Sequence, residues 1–255
     1  MRLKNKHAII TGGSDGIGFG IAQAFAREGA ALTLVARTEK SLLDAKAKLI
    51  ALGAPVATFT ADLARPDAID LVARHLKTEG RSVDILVNNA GVAHLVPYLE
   101  ATRAQYEAGV ALNVTVPFFL TQALVPLMRV GASVINLSSY FAHKMLPGRP
   151  SSIYSLTKGA LNSLTKAQAW ELAGRQIRVN AIAPGTVDTP MRRKSIETLP
   201  QKAQDDLAEL VKRIYPLGRI GRIEDLGGIA VYLASDESAW TTGAVFAVDG
   251  GLTVG

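Results

Sequence analysis

No cysteine occurs among the 255 residues, which excludes disulfides, thiolate nucleophiles and thiolate metal sites. Histidine is nearly as scarce. His7, His75, His94 and His143 stand far apart without metal-ligand spacing, so no metal is expected. Long apolar runs are missing too. Met1 opens onto Arg2-Leu3-Lys4-Asn5-Lys6, and the run from His7 to Ile10 is shorter than the apolar region of a signal peptide. No stretch reaches the roughly 18 to 20 uninterrupted apolar residues of a membrane span. We therefore expect a cytoplasmic chain with no membrane partner. Blocks of like charge are also absent. The 28 Lys and Arg outnumber the 22 Asp and Glu, but they are dispersed, so the net charge of +6 does not point to nucleic acid. A mild positive field suits a phosphorylated cofactor or an acidic carrier equally well. No linker, low-complexity tract or fixed-period repeat divides the chain, which predicts one domain over 1–255.

What is present is a soluble globular composition, 48% hydrophobic and 20% charged, with 23 glycines to serve tight turns. Ala8-Ile9-Ile10 is a candidate buried strand, followed by a glycine-rich turn and then by Ile17, Ile21, Ala22 and Phe25 at helical spacing. The alternation continues with strands at 32–36, 56–60, 85–87, 134–137, 179–182 and 245–248, and with helical faces at 42–52 and 69–76. Strands alternating with helices predict an α/β fold with a parallel sheet covered on both faces.

Two local patterns carry chemistry. Thr11-Gly12-Gly13-Ser14-Asp15-Gly16-Ile17-Gly18 lies between the first strand and the first helix, where glycines let a pyrophosphate approach the amides and dipole of a helix N-terminus. Tyr154 and Lys158 are four apart and share a helix face. A phenol with a pKa near 10 is a poor proton source or base at neutral pH. A neighbouring ammonium favours phenolate and is expected to bring that pKa down.

Joined to Asn88-Asn89-Ala90-Gly91, Pro184-Gly185 and the ending Val248-Asp249-Gly250-Gly251, these patterns resemble the short-chain dehydrogenase/reductase family. The ending is most similar to its 3-oxoacyl carrier-protein reductase branch. The resemblance spans His7 to Gly251 and implies a single Rossmann-type, doubly wound domain, with a seven-stranded parallel sheet and helices on both faces. It implies an oxidoreductase that reduces a carbonyl to a secondary alcohol, or the reverse, with a 3-oxoacyl thioester among the candidate substrates. The alternative is a non-catalytic, NADP-binding regulatory protein on the same fold. The intact set of Asn113, Ser139, Tyr154 and Lys158 favours the enzyme.

By the same resemblance Tyr154 is the general acid in reduction and the base in oxidation, and Lys158 lowers its pKa and bonds the nicotinamide ribose. Ser139 donates to the substrate oxygen, and Asn113 positions a water for a proton relay. The implied cofactor residues are Gly12, Ser14, Asp15, Gly16, Ile17, Gly18, Arg37, Thr38, Asp62, Leu63, Asn89, Ala90, Gly91, Tyr154, Lys158, Pro184, Gly185, Val187 and Thr189. Ser139 lies 15 residues before Tyr154, about two more than is common in the family, so the 140–153 loop carries a small insertion. Residues 191–215 are the predicted substrate lid, with Leu199, Leu207, Leu210 and Val211 among charges. Arg129 and Arg175 are candidate contacts for an acidic carrier, His94 and His143 for substrate. A homotetramer is implied, pairing helices around 104–128 and 153–172.

The second strand ends in Leu34-Val35-Ala36-Arg37-Thr38. An NAD enzyme of this fold usually places a carboxylate where Ala36 stands, to bind the ribose 2′-hydroxyl. Arg37 can instead hold a 2′-phosphate by charge-assisted hydrogen bonds. NADP(H) is favoured and NAD(H) is the alternative, because Asp15 occupies a turn position where many NADP-preferring relatives carry a basic residue.

Overall fold

The computed structural model describes residues 1–255, apart from the side chains of Met191 and Ser195. Seven strands form one parallel sheet: β1 (His7–Thr11), β2 (Ala31–Ala36), β3 (Val56–Thr60), β4 (Val83–Asn88), β5 (Met128–Leu137), β6 (Arg178–Pro184) and β7 (Val245–Val248). Their order is β3-β2-β1-β4-β5-β6-β7, so the winding reverses between β1 and β4. In open sheets of this kind the crevice at such a reversal, beyond the carboxyl ends of the strands, is where ligands bind.

Helices cover both faces: α1 (Gly16–Arg27), α2 (Glu39–Ile50), α3 (Ala68–Thr78), α4 (Arg103–Val110), α5 (Val116–Leu124), α6 (Ser152–Leu172), α7 (Pro190–Glu197), α8 (Gln201–Ile214) and α9 (Gly227–Ala234). The side-chain alternation of the strands divides the core in two. Ile10, Leu34, Val87 and Ile182 pack with Ile21 and Phe25 of α1, Leu42 of α2 and Val231 of α9. Ile9, Val35, Leu86 and Val134 pack on the other face with Val72 and Leu76 of α3 and Leu120 of α5. Each such fully buried side chain contributes about 1.5 to 3 kcal/mol.

Capping explains several boundaries. Asp15 accepts a hydrogen bond from the Gly16 amide at 2.7 Å and starts α1. Thr102 and Gln105 form a reciprocal capping box at the start of α4. From α4 the chain runs through one turn of wider π-helix, Ala111–Thr115, into α5. The stretch Arg103–Leu127 is long and apolar enough on average to cross a membrane, yet it packs against α3 and α6.

Two elements differ from the sequence expectation. β5 begins at Met128, not Val134, because its exposed start at Arg129, Val130 and Gly131 shows no apolar pattern and joins β4 across a register shift. Helix α2 starts at Glu39, three residues before the predicted apolar face, because its first turn is polar and solvent-facing.

Candidate active site

The glycine turn and the end of β4 close on each other at the winding reversal. Thr11 ties them together: its Oγ1 donates to the Val87 carbonyl (3.2 Å) and accepts from the Asn89 (2.9 Å) and Ala90 (3.0 Å) amides. Asn89 Nδ2 donates to the carbonyls of Thr11 (2.9 Å) and Gly12 (3.2 Å). No side chain fits between these segments. A methyl on Gly18 would lie 2.4 Å from both Asn89 Nδ2 and the Gly12 carbonyl, and Gly12 itself has φ of +63°. Across the crevice, the methyl position of Gly16 lies 3.6 Å from Thr189. Thr189 caps α7 through the Arg192 amide at 3.3 Å.

This cradle fits a dinucleotide, with the N-terminus of α1 at the turn and glycines at the points of closest approach. Ser14 is linked to α2 by Ser41, whose hydroxyl donates to Ser14 Oγ (3.3 Å) and to the Thr38 carbonyl (2.8 Å). Arg37 and Thr38 stand exposed beside this link, and Thr38 begins α2 without using its side chain as a cap. The Asp15 carboxylate is engaged by its own helix terminus, as described above. Asp62 stabilises the turn after β3, accepting from the Ala64 amide at 3.2 Å, and Leu63 is buried. Pro184 ends β6, Gly185 packs against Asp249 too tightly to admit a side chain, and Val187 is buried, bridging in parallel to Gly221.

The four predicted reacting residues gather beyond the ends of β4 and β5. Lys158 is buried, and its Nζ donates to the Leu137 carbonyl at 2.6 Å and lies 5.5 Å from the centre of the Tyr154 ring. Gly91 joins this group, since a methyl there would sit 3.0 Å from Asn113 Oδ1 and 3.7 Å from Lys158 Nζ. Asn113 lies in the π-helical turn, a local irregularity often found at functional sites. Its amide is held by Val92, accepting from N and donating to O at 2.8 Å each, and donates to Thr157 Oγ1 at 3.0 Å. Ser139 is buried after β5, and its hydroxyl accepts from the Phe141 amide at 3.3 Å. Ser138 faces the α6 backbone instead, donating to the Lys158 carbonyl at 3.4 Å.

Electrostatics here depart from the sequence expectation. Burial pushes the Tyr154 phenol up to about 12, with hydrogen bonding from Ser139 opposing it, and burial pulls the Lys158 ammonium down to about 8. Burial is thus the larger influence on the phenol and the Ser139 hydrogen bond the one that opposes it, in place of the lowering expected from Lys158. Tyr154 is thereby held protonated, the form a general acid requires.

The predicted lid is α7 and α8. Val211 and Ile214 of α8 pack against the buried cluster of Tyr140, Phe141, Tyr215 and Leu252, the same cluster that Leu146 of the longer loop and Tyr154 pack against. A cavity of about 640 Å³ on another flank of α8, lined by Pro147, Asp206, Leu210 and Arg213, includes none of the predicted reacting residues. His94 is half-buried near Gly109. His143 is exposed and meets Asn162 of α6 at 3.1 Å. Arg129, paired with Asp84 at 3.5 Å, and Arg175 lie at the amino ends of β5 and β6, the opposite end of the sheet from the reacting residues. A carrier docked there would not face the site. Sequence reasoning missed Thr11, Ser41, Thr157 and Tyr215, the last of which accepts from the Thr186 amide at 2.9 Å. Thr11 and Ser41 had local signals, the first residue of the glycine-rich pattern and a hydroxyl in the first turn of α2.

Among the described residues no cluster of His, Asp and Glu could hold a metal. Residues 12–253 match a family model described as enoyl-(acyl carrier protein) reductase. The chain is 36% identical to a 3-oxoacyl-[acyl-carrier-protein] reductase of Thermotoga maritima over the full length of both. It is 38% identical to a galactitol 2-dehydrogenase (L-tagatose-forming) of Cereibacter sphaeroides, covering 99% of this chain and 97% of that one. Among solved structures it is similar to L-sorbose reductase from Gluconobacter frateurii complexed with NADPH and L-sorbose, with a TM-score of 0.92, 33% identity and 99% of each chain covered. A short-chain dehydrogenase/reductase from Serratia marcescens gives a TM-score of 0.90 at 31% identity, covering 99% of this chain and 100% of that one.

Proposed function

The chain belongs to the short-chain dehydrogenase/reductase family of oxidoreductases, and from that premise we propose that it is an NADP(H)-dependent carbonyl reductase with Tyr154 as its proton donor. The observation that carries this reading is the gathering of Asn113, Ser139, Tyr154 and Lys158 beside a glycine cradle that no side chain could enter. When bound, the nicotinamide cofactor supplies a hydride to the carbonyl carbon.

Each residue then has a part in completing the alcohol. Tyr154, kept protonated by burial, transfers its phenolic proton to the carbonyl oxygen, so that one hydride and one proton are added in all. Ser139 donates to the same oxygen and stabilises the charge developing on it. Lys158, with its ammonium near its ionisation point, restores the phenolic proton. Asn113 anchors the π-helical turn to Val92 and Thr157, and a water on that turn would link Lys158 to solvent. Closure of α7 and α8 excludes bulk water.

A phosphorylated ribose is supported by the exposed Arg37 and Thr38 next to Ala36, where no carboxylate stands, and by the hydrogen bond of Ser41 to Ser14 beside them. A homotetramer is supported by large apolar side chains left exposed on α5 and α6, among them Phe118, Leu156 and Trp170. The test is an NADPH-oxidation screen over acyl thioesters, diketones, cyclic ketones, sugar ketones and oxo acids. Consumption of NADPH with one of these and formation of the matching alcohol supports the reading. Binding of NADPH without turnover of any class would contradict it.

A further inference from the structure

The longer loop joins Ser139 to Tyr154, the two residues that would hold the carbonyl oxygen, so it borders the substrate along its path. Little within the loop keeps it in place. Its backbone hydrogen bonds join residues of the same turns: the Ala142 amide donates to Ser139, those of His143 and Lys144 to Tyr140, and that of Arg149 to Leu146. Its polar links to α6 are weak, with the Met145 sulfur accepting from Ser151 at 3.6 Å and Ser155 at 3.5 Å, and the exposed His143 meeting Asn162. Lys144 is different. Its half-buried ammonium crosses to the 249–255 segment, donating to the Leu252 carbonyl at 2.9 Å and to that of Gly255. We propose that Lys144 is a positioning residue for substrate selection: this bond holds the loop as a firm wall beside Tyr154 and so limits the size of the group attached to the reacting carbonyl. The proposal rests on the reductase reading above.

A tether positions only if its anchor is firm, and this anchor is braced from three sides. Asp249 folds the segment on itself, accepting from the Gly251 amide at 3.0 Å, the Thr253 amide at 3.1 Å and the Thr253 hydroxyl at 2.6 Å. Gly185, in the turn after β6, lies so close that a methyl there would sit 2.9 Å from the Asp249 Cα, and its amide donates to the Val248 carbonyl at 3.0 Å. The chain leaving α8 meets the same segment. The Leu217 amide donates to the Gly250 carbonyl at 3.2 Å, and the methyl position of Gly251, whose φ is +84°, lies 2.8 Å from Pro216. Leu252 itself is buried with Tyr140, Phe141 and Tyr215. The carbonyl that Lys144 grips is therefore fixed to the end of β6, to the exit of α8 and to the ring cluster.

The path from Lys144 to the reacting groups is short. The turn that its amide closes on Tyr140 contains Phe141, whose own amide donates to Ser139 Oγ at 3.3 Å and whose ring meets Tyr154 edge-on at 5.7 Å. Beyond Lys144, Leu146 packs against the same cluster. A bond from an ammonium to a carbonyl is stronger than one between neutral groups, so Lys144 is the main polar constraint on this turn. Without it the wall yields, and bulkier groups gain room while the best substrate loses its fit.

The test compares the best substrate of the screen with a homologue one or two carbons bulkier beside the carbonyl, in the parent, Lys144→Met and Lys144→Arg. Methionine keeps a similar length without the ammonium, and arginine can reach the same carbonyls. In Lys144→Met, kcat/KM for the best substrate should fall by roughly tenfold, mainly through KM. Its preference over the bulkier homologue should narrow by about threefold or more. Lys144→Arg should restore most of both. NADPH affinity and far-ultraviolet circular dichroism should stay at parental values. Calorimetric titration of the NADP+-saturated protein with the same two ketones should show the same narrowing without turnover. An equal fall for both ketones, an unchanged preference, no rescue by arginine, or general loss of fold in Lys144→Met would reduce Lys144 to a structural tie or to no role and overturn the proposal. Ketones that bind with the narrowed preference but are never reduced, even by the parent, would overturn the reductase reading and leave the positioning role standing.

Discussion

Lys158 is a charged side chain held in a place that disfavours charge, so its removal should change stability in a pH-dependent way. Burial lowers its pKa from 10.5 to about 8, equivalent to about 3 kcal/mol against the ammonium form in the folded protein. Between pH 8 and 10.5 the unfolded chain binds more protons than the folded one at this position, so stability rises with pH in that window. Below pH 8 the whole penalty is present. Lys158→Met removes the titration and also the 2.6 Å bond to the Leu137 carbonyl, a loss of about 1 to 3 kcal/mol that hardly depends on pH. The variant should therefore range from equal stability to about 2 kcal/mol more stable at pH 7. Its standing relative to the parent should fall by about 2 kcal/mol between pH 7 and about pH 9.5. Urea unfolding of cofactor-free protein, at one fixed protomer concentration, measures this difference directly. A gap that stays constant with pH, or widens in favour of the variant, would refute the reasoning. Turnover should be lost in the variant at every pH.

Arg37→Ala should raise the NADPH Michaelis constant roughly ten- to a hundredfold and scarcely alter that for NADH, as a charged hydrogen bond to the 2′-phosphate requires; equal effects on both cofactors would reject the assignment. Thr11→Val preserves shape but leaves the Asn89 and Ala90 amides without their acceptor, so unfolding free energy should drop by about 2 kcal/mol or more and cofactor affinity should fall with it. Light scattering at micromolar concentration should report four subunits, and Phe118→Glu together with Trp170→Glu should shift the mass downward while far-ultraviolet circular dichroism stays unchanged.

Much of this arrangement was legible in the sequence, for identifiable reasons. Strands buried on both faces, such as those around 8–10 and 179–182, appear as short dense runs, and the glycine turn and Tyr154-Lys158 pair have fixed spacings that chemistry demands. The π-helical turn at Asn113 left no trace, because nothing in Ala111-Leu112-Asn113-Val114-Thr115 distinguishes it from ordinary helix. The burial that raises the Tyr154 phenol is likewise not readable from the sequence. The sequence reveals the neighbouring ammonium but not the cluster that Tyr154 packs against, with Phe141 edge-on to its ring at 5.7 Å.

The most direct test of the account is Tyr154→Phe, which removes one hydroxyl and keeps the ring against Phe141. NADPH binding, followed by fluorescence, should persist within a few-fold of the parent, while NADPH-dependent reduction of the best substrate from the screen should fall by roughly a hundredfold to ten-thousandfold, the usual contribution of a positioned general acid. Retention of near-parental turnover by a Tyr154→Phe protein with cofactor bound would show that the proton comes from elsewhere and would contradict the mechanism.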